Sequence, residues 1–464
     1  MTDHIEHPKT LRQRDLLLFT VTAILLPDIL TSSASAGASS IAWWIILGLV
    51  FFLPMGLISA ELGCSYPEQG GIYTWVRNAF GSRWASRITF CYWVNMALWL
   101  PAMFILFAGV FNRLFAAEAS FTLQIALAIG ITWLTVAVNI VALRFGKWIP
   151  NLGAVAKFLL FFGVVAGAWR YVSMNEMANP ITLESMTPSW GQGLQFIPAI
   201  VYGMLGFELV SAGSAEMRNP ERDVPRAILW SGVIILVLSV LGTLAVLAAI
   251  PAADINLVEA LIDTLRLSFA GMTGAHTLVL FLGFCFLFSI FSSCAAWSMG
   301  ANRAAAEAAL EGELPAWFGV ELPSNGSPVG AALLTGLVST LALMGYGFMA
   351  GDNEDLFWSL FAFSSVLFML PYVGMVLAFL RMRAVDSERN RPFRVPGGPA
   401  GAFICAALCA LILLIAIALF MVTPEDGPQW KVIIGVVLAL SLGELMIYTA
   451  EHSRADQSNQ PEMP

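Results

Sequence analysis

The chain has 464 residues, of which 58% are hydrophobic and only 12% are charged. Soluble globular domains carry about 25% charged residues, so this composition excludes a soluble protein. The formal net charge is −8 and no block of like charge occurs, which excludes nucleic acid as a partner.

Apolar stretches of nearly twenty residues recur along the chain, and each is long enough to cross a hydrocarbon layer of about 30 Å as a helix. The fold class is therefore an all-α polytopic membrane protein with the lipid bilayer as its surroundings. Hydropathy and helix breakers predict twelve spans, named span one to span twelve in order: 15–37, 41–62, 84–115, 121–143, 148–171, 194–216, 226–250, 274–308, 328–350, 355–380, 399–422 and 430–450.

The remaining segments are shorter or polar. Amphipathic pieces are predicted at 72–80 and 255–269. The N-terminal tail covers 1–14, and the apolar segment after it lacks a small-residue cleavage pattern, so we expect it to stay in the mature protein. The C-terminal tail covers 451–464 and is predicted to be disordered because it is polar and has no apolar stripe.

Basic residues divide unevenly between the two sides of this topology. Eighteen fall on the side of both termini, whereas four fall on the other side: Arg113, Arg170, Arg266 and Lys431. Because loops rich in Lys and Arg stay in the cytoplasm, both termini are predicted to be cytoplasmic. An odd number of spans would scramble this pattern.

Asp28 lies midway along span one, where a charge costs about 2.5–3.5 kcal/mol. Pro27 breaks the helix just before it and frees backbone carbonyls. Small residues follow and allow close approach of a helix or a ligand. Asp28 is predicted to select an ammonium group and to disfavour dicarboxylic ligands; the alternative is a cap on the second half-helix. The other predicted binding residues of span one are Ile24, Leu25, Thr31 and Ser32.

Glu208 lies midway along span six, after two glycines whose missing side chains make unwinding easy. If spans one and six start near 16 and 194, the interruptions at Asp28 and Gly206 each fall about twelve residues in. Matching interruptions in two halves indicate the central site of an inverted-repeat transporter. Helix packing is the alternative for the glycines. The predicted binding residues of span six are Tyr202, Gly203, Gly206, Phe207 and Glu208.

Two further hypotheses concern coupling. Glu208 is interpreted as a proton-linked or conformational switch, with a helix-stabilising hydrogen bond as the alternative. Lys157 lies about 15 Å into span five, too deep for easy snorkelling. It is predicted to bond to carbonyls freed by a broken helix or to take the place of a sodium ion; a structural lysine bonded to neighbouring backbone is the alternative. Sodium would need the oxygens of span eight: Ser289, Ser292 and Ser293.

Other activities lack residues to carry them. The sequence contains no motif of a hydrolase, a metalloprotease or an ATP-driven pump. The six cysteines have no zinc or redox spacing and are interpreted as buried small residues. We therefore predict no catalytic residue, no cofactor and no metal. Paired breaks without a polar face along any helix favour a carrier over a pore. The tryptophans, Trp297 among them, are interpreted mainly as interface anchors or packing residues.

Residues 60–73, AELGCSYPEQGGIY, resemble the A-E-L-x4-Y-P-E-x-G-G-x-Y signature of the amino acid–polyamine–organocation superfamily. The loops 216–226 (EMRNPERDVPR) and 391–399 (RPFRVPGGP) are also similar to that superfamily. The resemblance covers about 9–450 and implies a LeuT-like fold with five-plus-five inverted repeats. It implies a first repeat over 15–172, a second over 194–380 and two extra helices over 399–450, with substrate between the broken spans one and six.

Within the superfamily the chain resembles bacterial glutamate/γ-aminobutyrate antiporters. The similar residues are Gly206-Phe207-Glu208 with Asn219-Pro220, the segment 251–257 (PAADINL), and Ala296-Trp297 followed by Arg303. Asp28 falls where those antiporters carry a tyrosine that contacts substrate, and the tail is much shorter than their cytoplasmic plug, so glutamate specificity and acid gating are not carried over. Lys157 matches the lysine that many members use in place of sodium.

The resemblance implies a secondary active transporter of amino acids or related amines in the bacterial inner membrane. Alternating access would then operate as exchange or with protons, and without sodium. The alternatives are a sodium-coupled amino acid symporter that uses Ser292 and Ser293, and a polyamine or diamine antiporter. The sequence leaves the identity of this small-molecule substrate and the oligomeric state open.

Overall fold

The computed structural model describes residues 13–66, 71–115, 119–141, 148–188, 193–208, 220–324, 326–424 and 427–458. Ten helices in these ranges are long and apolar enough to cross a membrane, and they correspond to all predicted spans except one and six. The bounds are Ser39–Ser65 for span two, Ser82–Phe115 for span three, Phe121–Val141 for span four, Trp148–Met174 for span five and Pro220–Ala249 for span seven. They are Ala275–Leu310 for span eight, Val329–Gly347 for span nine, Asn353–Val385 for span ten, Gly398–Met421 for span eleven and Trp430–Ser458 for span twelve. The prediction of an all-α, multi-pass membrane protein is confirmed.

Span one is split into two helices, Gln13–Ile24 and Asp28–Ala34. Residues 25–27 between them are not helical. Pro27 explains the interruption, because its ring clashes with the preceding turn and its nitrogen has no hydrogen to donate. The predicted break in span one is therefore present.

Span six is interrupted at the corresponding place. A 3₁₀ turn, Leu194–Phe196, leads into the helix Ile197–Tyr202, and the chain then leaves the helical conformation until Glu208. Gly206 has φ +124°, a backbone conformation that other residues rarely adopt. The glycine thus permits the predicted interruption. The second half of the span, over 209–219, lies outside the described residues, as do the first four residues of the loop 216–226.

Span three lies at the centre of the molecule and is buried along nearly its whole length. It packs along span ten on one side and span eight on another, while span eight also packs against span five. Spans four, nine, eleven and twelve lie further out and keep exposed faces. The interrupted spans and spans three, eight and ten therefore form the interior in which a site can be built.

The connections contain short elements. The amphipathic helix Ile72–Phe80 buries Trp75 and Val76, as predicted. The second amphipathic segment consists of a 3₁₀ turn, Ala252–Asp254, and the helix Ala260–Ser268. A small hairpin of Val422–Thr423 and Gly427–Pro428 joins spans eleven and twelve. Span two also contains a π-helical turn, Gly48–Phe52, which the sequence did not indicate.

Among the described spans, two helix ends differ from the prediction by six residues or more. Span seven begins at Pro220 rather than at 226, because the fixed φ of proline suits the first helical position. Span twelve continues to Ser458, so the predicted disorder from 451 is wrong as far as that residue. No proline or glycine interrupts 451–458, and Glu451 lies 3.8 Å from Arg83. Residues 67–70 and 459–464 lie outside the described residues, and the predicted repeat boundaries stay predictions.

A buried ion cluster, named the Glu61 cluster, consists of Glu61, Arg383 and Arg391. Arg383 donates from Nε to Glu61 Oε1 at 2.7 Å, and the Val395 N–H donates to Oε2 at 2.7 Å. Arg391 Nε lies 3.5 Å from Glu61 Oε1. The cluster fixes the end of span two to the end of span ten and to the loop that follows it.

Arg391 also ends span ten. Its guanidinium donates to the carbonyl oxygens of Met382 at 3.0 Å and Asp386 at 2.7 Å, which also accept the backbone N–H groups of Asp386 and Arg389, respectively. Beside it, the Tyr66 hydroxyl donates to Asp386 at 2.8 Å. Burial and this hydrogen bond raise the pKa of Tyr66 to about 12, so its hydroxyl stays protonated at physiological pH.

Candidate functional site

The two interruptions lie against each other. A Cβ on Gly206 would stand 2.8 Å from Cγ1 of Ile24, and a Cβ on Gly203 would stand 3.1 Å from Cγ2 of Ile29. The glycines of span six therefore allow its backbone to reach both sides of the break in span one. These close contacts agree with helix packing, which was the alternative role for the glycines. They lie at the point where the two interruptions meet.

Asp28 is the first residue of the second half-helix and is 4% exposed. Within the part of the chain that the structure describes, its Oδ2 has no hydrogen-bond partner. A buried carboxylate oxygen without a partner is costly, and a proton or a positively charged group at this point would satisfy it. Leu25, also in the interruption, is buried as well.

Thr31 and Ser32 use their hydroxyls on backbone. Thr31 Oγ1 donates to the carbonyl of Asp28 at 3.1 Å and lies 2.9 Å from that of Leu257. Ser32 Oγ lies 3.4 Å from the carbonyl of Asp28. The contact with Leu257 holds span one to the segment 251–257. Both residues thus position the half-helix that carries Asp28.

Lys157 is 3% exposed, and its Nζ donates to the carbonyl of Thr22 at 2.7 Å. Thr22 belongs to the last turn of the first half-helix, so the expected bond to a broken helix is present. The charges of Asp28 and Lys157 attract each other, but the ammonium bonds to Thr22 and leaves Asp28 Oδ2 unpaired. Cys294 of span eight is fully buried.

Two serines of span eight donate hydrogen bonds to backbone carbonyls. Ser292 Oγ donates to the carbonyl of Ile149 in span five at 2.9 Å, and Ser289 Oγ donates to the carbonyl of Phe286 in its own helix at 2.8 Å. A Cβ on Gly153 would come within 1.9 Å of Ser292 Oγ, so this glycine is needed for the approach of spans five and eight. Ser293 is half-buried.

Glu208 is 4% exposed and joins three spans. Its Oε1 accepts from the Tyr372 hydroxyl of span ten at 2.7 Å and from the Tyr92 hydroxyl of span three at 3.3 Å. Its Oε2 has no partner among the described residues. These hydrogen bonds connect separate spans, so the carboxylate does more than stabilise its own helix.

Four aromatic rings surround Phe368 of span ten, and we name this group the Phe368 cluster. Ring centroids lie 5.2 Å from Tyr372, 5.4 Å from Tyr202, 5.7 Å from Tyr92 and 6.4 Å from Trp297. Tyr202 ends the helix Ile197–Tyr202, which packs against the half-helix that begins at Asp28, while Tyr92 and Tyr372 bond to Glu208. The cluster therefore connects Glu208 with the helix that packs against the half-helix of Asp28.

One predicted residue lies elsewhere. The ring of Phe207 stacks on Phe52 of span two at 4.5 Å and 24°. The positions of Gly56 and Gly232 leave room for this ring. Phe207 thus supports the interruption of span six from outside the Phe368 cluster.

Sequence reasoning missed Tyr92, Tyr372 and Phe368 and treated Trp297 as an anchor or packing residue. The chain has only 8 tyrosines against 32 phenylalanines, so a tyrosine deep in an apolar span was a usable signal. It also missed Asn95, one turn from Tyr92, whose side-chain amide atoms have no partner among the described residues. Phe368 offered no signal of its own.

Comparisons with known proteins identify the family to which the chain belongs. Residues 11–442 match the amino acid permease family model. The chain is 30% identical over 439 residues to the probable agmatine/putrescine antiporter AguD of Lactococcus lactis subsp. lactis, with 93% of each chain covered. It is 23% identical to a glutamate/gamma-aminobutyrate antiporter of the same organism, with 90% of this chain and 85% of the other covered.

Among solved structures, a mutant of the Eremococcus coleocola manganese transporter superposes with a TM-score of 0.61 at 14% identity, covering 98% of this chain and 96% of that one. At this identity the likeness concerns the fold alone, and it confirms the LeuT-like fold class. With the family model matched over almost the whole chain, the protein belongs to the amino acid permease family and is a multi-pass membrane transporter of amino acids or amines, not an enzyme.

Proposed function

We propose that the chain is a sodium-independent exchanger of amines or amino acids that presents an anionic site to ammonium groups. The observation that carries this proposal is the pair of buried carboxylates, Asp28 and Glu208, each with one oxygen unpartnered among the described residues. The Phe368 cluster lies between them. Aromatic faces attract cations, and carboxylates form strong hydrogen bonds with ammonium groups.

The arrangement favours ligands with two separated cationic groups. One ammonium group would meet Asp28 and Tyr202, and a second cationic group would meet Glu208 near Tyr372. A ligand with an additional carboxylate would be repelled by both residues. A relative with 30% identity is named a probable agmatine/putrescine antiporter, and both of those compounds carry two cationic groups. We therefore place diamine-like ligands first.

Amino acids with one ammonium group are the second candidate. A relative with 23% identity is named a glutamate/gamma-aminobutyrate antiporter. A half-helix N-terminus at the interruption of span one would favour a ligand carboxylate, while Asp28 would bind the ammonium group. Glutamate itself is disfavoured because its second carboxylate would meet an anionic site.

Lys157 supports coupling without sodium. Its ammonium group already lies on the carbonyl of Thr22, between the interrupted span one and span five. A fixed cation there would supply the charge that a bound sodium ion supplies elsewhere. The rival is a sodium symporter using Ser292 and Ser293; Ser292 Oγ donates to the carbonyl of Ile149 but keeps its lone pairs for a cation, so the sodium dependence of transport decides between the two.

Glu208 is proposed as the switch. Alternating access moves interrupted spans relative to the others. Such movement would change the hydrogen bonds from Tyr372 and Tyr92, which come from different spans. A proton or a ligand amine could then occupy Oε2 in turn. In the proposed setting, both termini face the cytoplasm of a bacterial cell.

Transport in proteoliposomes tests the function. Purified protein is reconstituted into vesicles loaded with putrescine, agmatine, arginine, γ-aminobutyrate or glutamate, and entry of labelled compound is followed. We expect saturable entry that is accelerated by internal amine and unchanged when choline replaces sodium. Conductance without saturation would contradict a carrier, strict dependence on sodium would contradict the coupling, and glutamate as the best ligand would contradict the anionic site.

A further inference from the structure

A cavity lies apart from the Phe368 cluster, between spans three, ten and twelve and the helix Ile72–Phe80. It has a volume of about 470 Å³. Its wall is almost entirely hydrocarbon: Phe80, Phe90, Leu370, Val373, Leu440 and Ile447. Apolar cavities of this kind stay dry and accept apolar ligands. An amino acid or amine would find no free polar partner in the wall.

The mouth of the cavity has the features of a membrane interface. Trp84 is 51% exposed, and the Arg87 guanidinium lies 4.5 Å from the centre of its ring. Leu377 at the edge of the cavity is 48% exposed. Tryptophan and arginine with these exposures are typical of the headgroup level of a bilayer. The mouth lies at the arginine-rich end of spans three, ten and twelve, which we predict to be cytoplasmic.

The charges around the mouth favour an anion. Arg87 forms two hydrogen bonds with Glu444, and Arg83 lies 3.8 Å from Glu451 and 4.0 Å from Glu444. Arg381 lies 5.2 Å from the centre of the Phe80 ring. Within the described ranges no carboxylate lies within 4.0 Å of Arg381. The mouth therefore has three positive side chains, Arg83, Arg87 and Arg381, against two negative ones, Glu444 and Glu451.

We infer that this cavity holds an acyl chain of an anionic phospholipid, with the lipid phosphate bound at Arg381. A lipid is the occupant that the surroundings supply, because the mouth opens where Trp84 and Leu377 face the bilayer. A helix of a second copy, at 10–12 Å in diameter, is too wide for a cavity of this volume. The glycines at 374 and 443 let spans ten and twelve approach span three closely at the cavity wall, since side chains there would collide with Ile88 and Phe90.

Native mass spectrometry of delipidated protein tests the inference. Equal amounts of phosphatidylglycerol and phosphatidylcholine with identical chains are added, and oleate is added in a separate arm. We expect wild-type protein to retain phosphatidylglycerol about fivefold better than phosphatidylcholine, the factor that one basic residue contributes at a membrane surface. Arg381→Ala should abolish this preference, and Leu377→Trp should reduce retention of both lipids.

Two control variants match these changes. Arg303→Ala removes an exposed arginine elsewhere, and Leu337→Trp enlarges a side chain that is 48% exposed on span nine. Both should behave as wild type. Thermal melting of each variant checks that it is folded, and exchange activity should persist because none of these residues lies in the Phe368 cluster.

Cys91 supplies an independent readout, because it is a wall residue of the cavity. Its labelling by a membrane-permeant maleimide, taken as the difference between wild type and Cys91→Ser, should slow when phosphatidylglycerol is bound. Equal retention of the two phospholipids in wild type would overturn the inference, as would unchanged retention in Leu377→Trp. Oleate retained in preference to phosphatidylglycerol, or a dimer that protects Cys91 without lipid, would also overturn it.

Discussion

Asp28 and Glu208 are both carboxylates buried at the depth of an interruption, yet their partners differ. Glu208 receives two tyrosine hydroxyls from other spans, while Oδ2 of Asp28 has no partner among the described residues. A carboxylate with neutral donors can gain or lose a proton by exchanging partners. A carboxylate without them depends on an incoming cation. We therefore assign ligand binding mainly to Asp28 and switching to Glu208.

Asp28→Asn should weaken binding of amines. The change removes the charge but keeps the shape, and a hydrogen bond to a charged group contributes about 1.5–3 kcal/mol. The apparent affinity for putrescine or agmatine, measured in counterflow, should fall by roughly tenfold to a hundredfold. Asp254→Asn, at an exposed carboxylate, is the control and should keep affinity. Unchanged affinity with a lower melting temperature would identify Asp28 as a helix cap instead.

Glu208→Gln should remove the pH dependence of exchange. The amide oxygen can still accept from Tyr372, but the side chain can no longer take up or release a proton. We expect a slower exchange rate that stays flat across the pH range in which the wild type varies. Tyr92→Phe removes the 3.3 Å bond but keeps the carboxylate, so its pH profile should persist. A variant with the wild-type rate and profile would disprove the switch.

The charged residues near the site could be predicted from sequence because a charge in an apolar span is costly and therefore conspicuous. Lys157 and the glycines at 203 and 206 stood out for similar reasons. Tyr372 and Phe368 could not be placed beside Tyr202, since that contact depends on how spans six and ten align in space. Phe207 was predicted to bind ligand from its position next to Glu208, but the backbone turns at Gly206 and directs its ring to Phe52.

At the scale of elements, the Glu61 cluster shows how helix ends are fixed. Spans two and ten are far apart in sequence, yet a single carboxylate at the end of span two holds both arginines near the end of span ten. Arg391 adds side-chain donors to two carbonyls at the end of span ten, Met382 and Asp386, beside their backbone partners. The loop 391–399, which the sequence offered only as a motif, thus has a structural role.

Arg391→Ala should destabilise the protein strongly. It leaves Glu61 with one fewer cation and removes the guanidinium donors from the carbonyls of Met382 and Asp386, and removing a partner from a buried ion pair costs about 3–5 kcal/mol. Arg391→Lys should also destabilise, because lysine cannot reproduce the fork of donors. The control, Arg77→Ala, breaks an exposed pair with Glu311 and should cost about 1 kcal/mol or less. Thermal melting in detergent measures all three; equal effects of Arg391→Ala and Arg77→Ala would contradict the assignment.

Span bounds could be predicted closely where hydropathy changes sharply, as at the start of span four and at both ends of span eleven. The ends of spans ten and twelve extend beyond the prediction because a helix can continue past the apolar layer into polar sequence. The π-helical turn Gly48–Phe52 left no signal in the sequence, since its apolar residues suit an ordinary α-helix equally well. Hydrophobicity marks the membrane segment of a helix, while hydrogen bonding determines its ends.

At the scale of the whole molecule, the interior spans carry the site and the outer spans face lipid. Span eleven packs against spans ten and two, while span twelve contributes to the wall of the apolar cavity. This division separates the residues that we propose to bind the transported ligand from those that meet the bilayer.

The uneven distribution of arginine predicts the orientation of the whole molecule. A fluorescent protein fused after the last residue should fold and fluoresce in a bacterial host, because that end should stay in the cytoplasm. Alkaline phosphatase at the same place should be inactive. As a matched control, the same reporters inserted between spans eleven and twelve should give the opposite result. Active phosphatase at the C-terminus would contradict the predicted topology.

Two fixed carboxylates inside the bilayer also have an electrical consequence. If Asp28 and Glu208 neutralise a doubly charged ligand, the protein loaded with such a ligand has the same net charge in both transport directions. Exchange of two divalent amines is then electroneutral and insensitive to voltage. Exchange of a divalent amine for a monovalent one transfers one charge, worth about 2.3 kcal/mol per 100 mV, provided that Glu208 carries no proton on the return. The membrane potential would then drive the more highly charged amine into the cell.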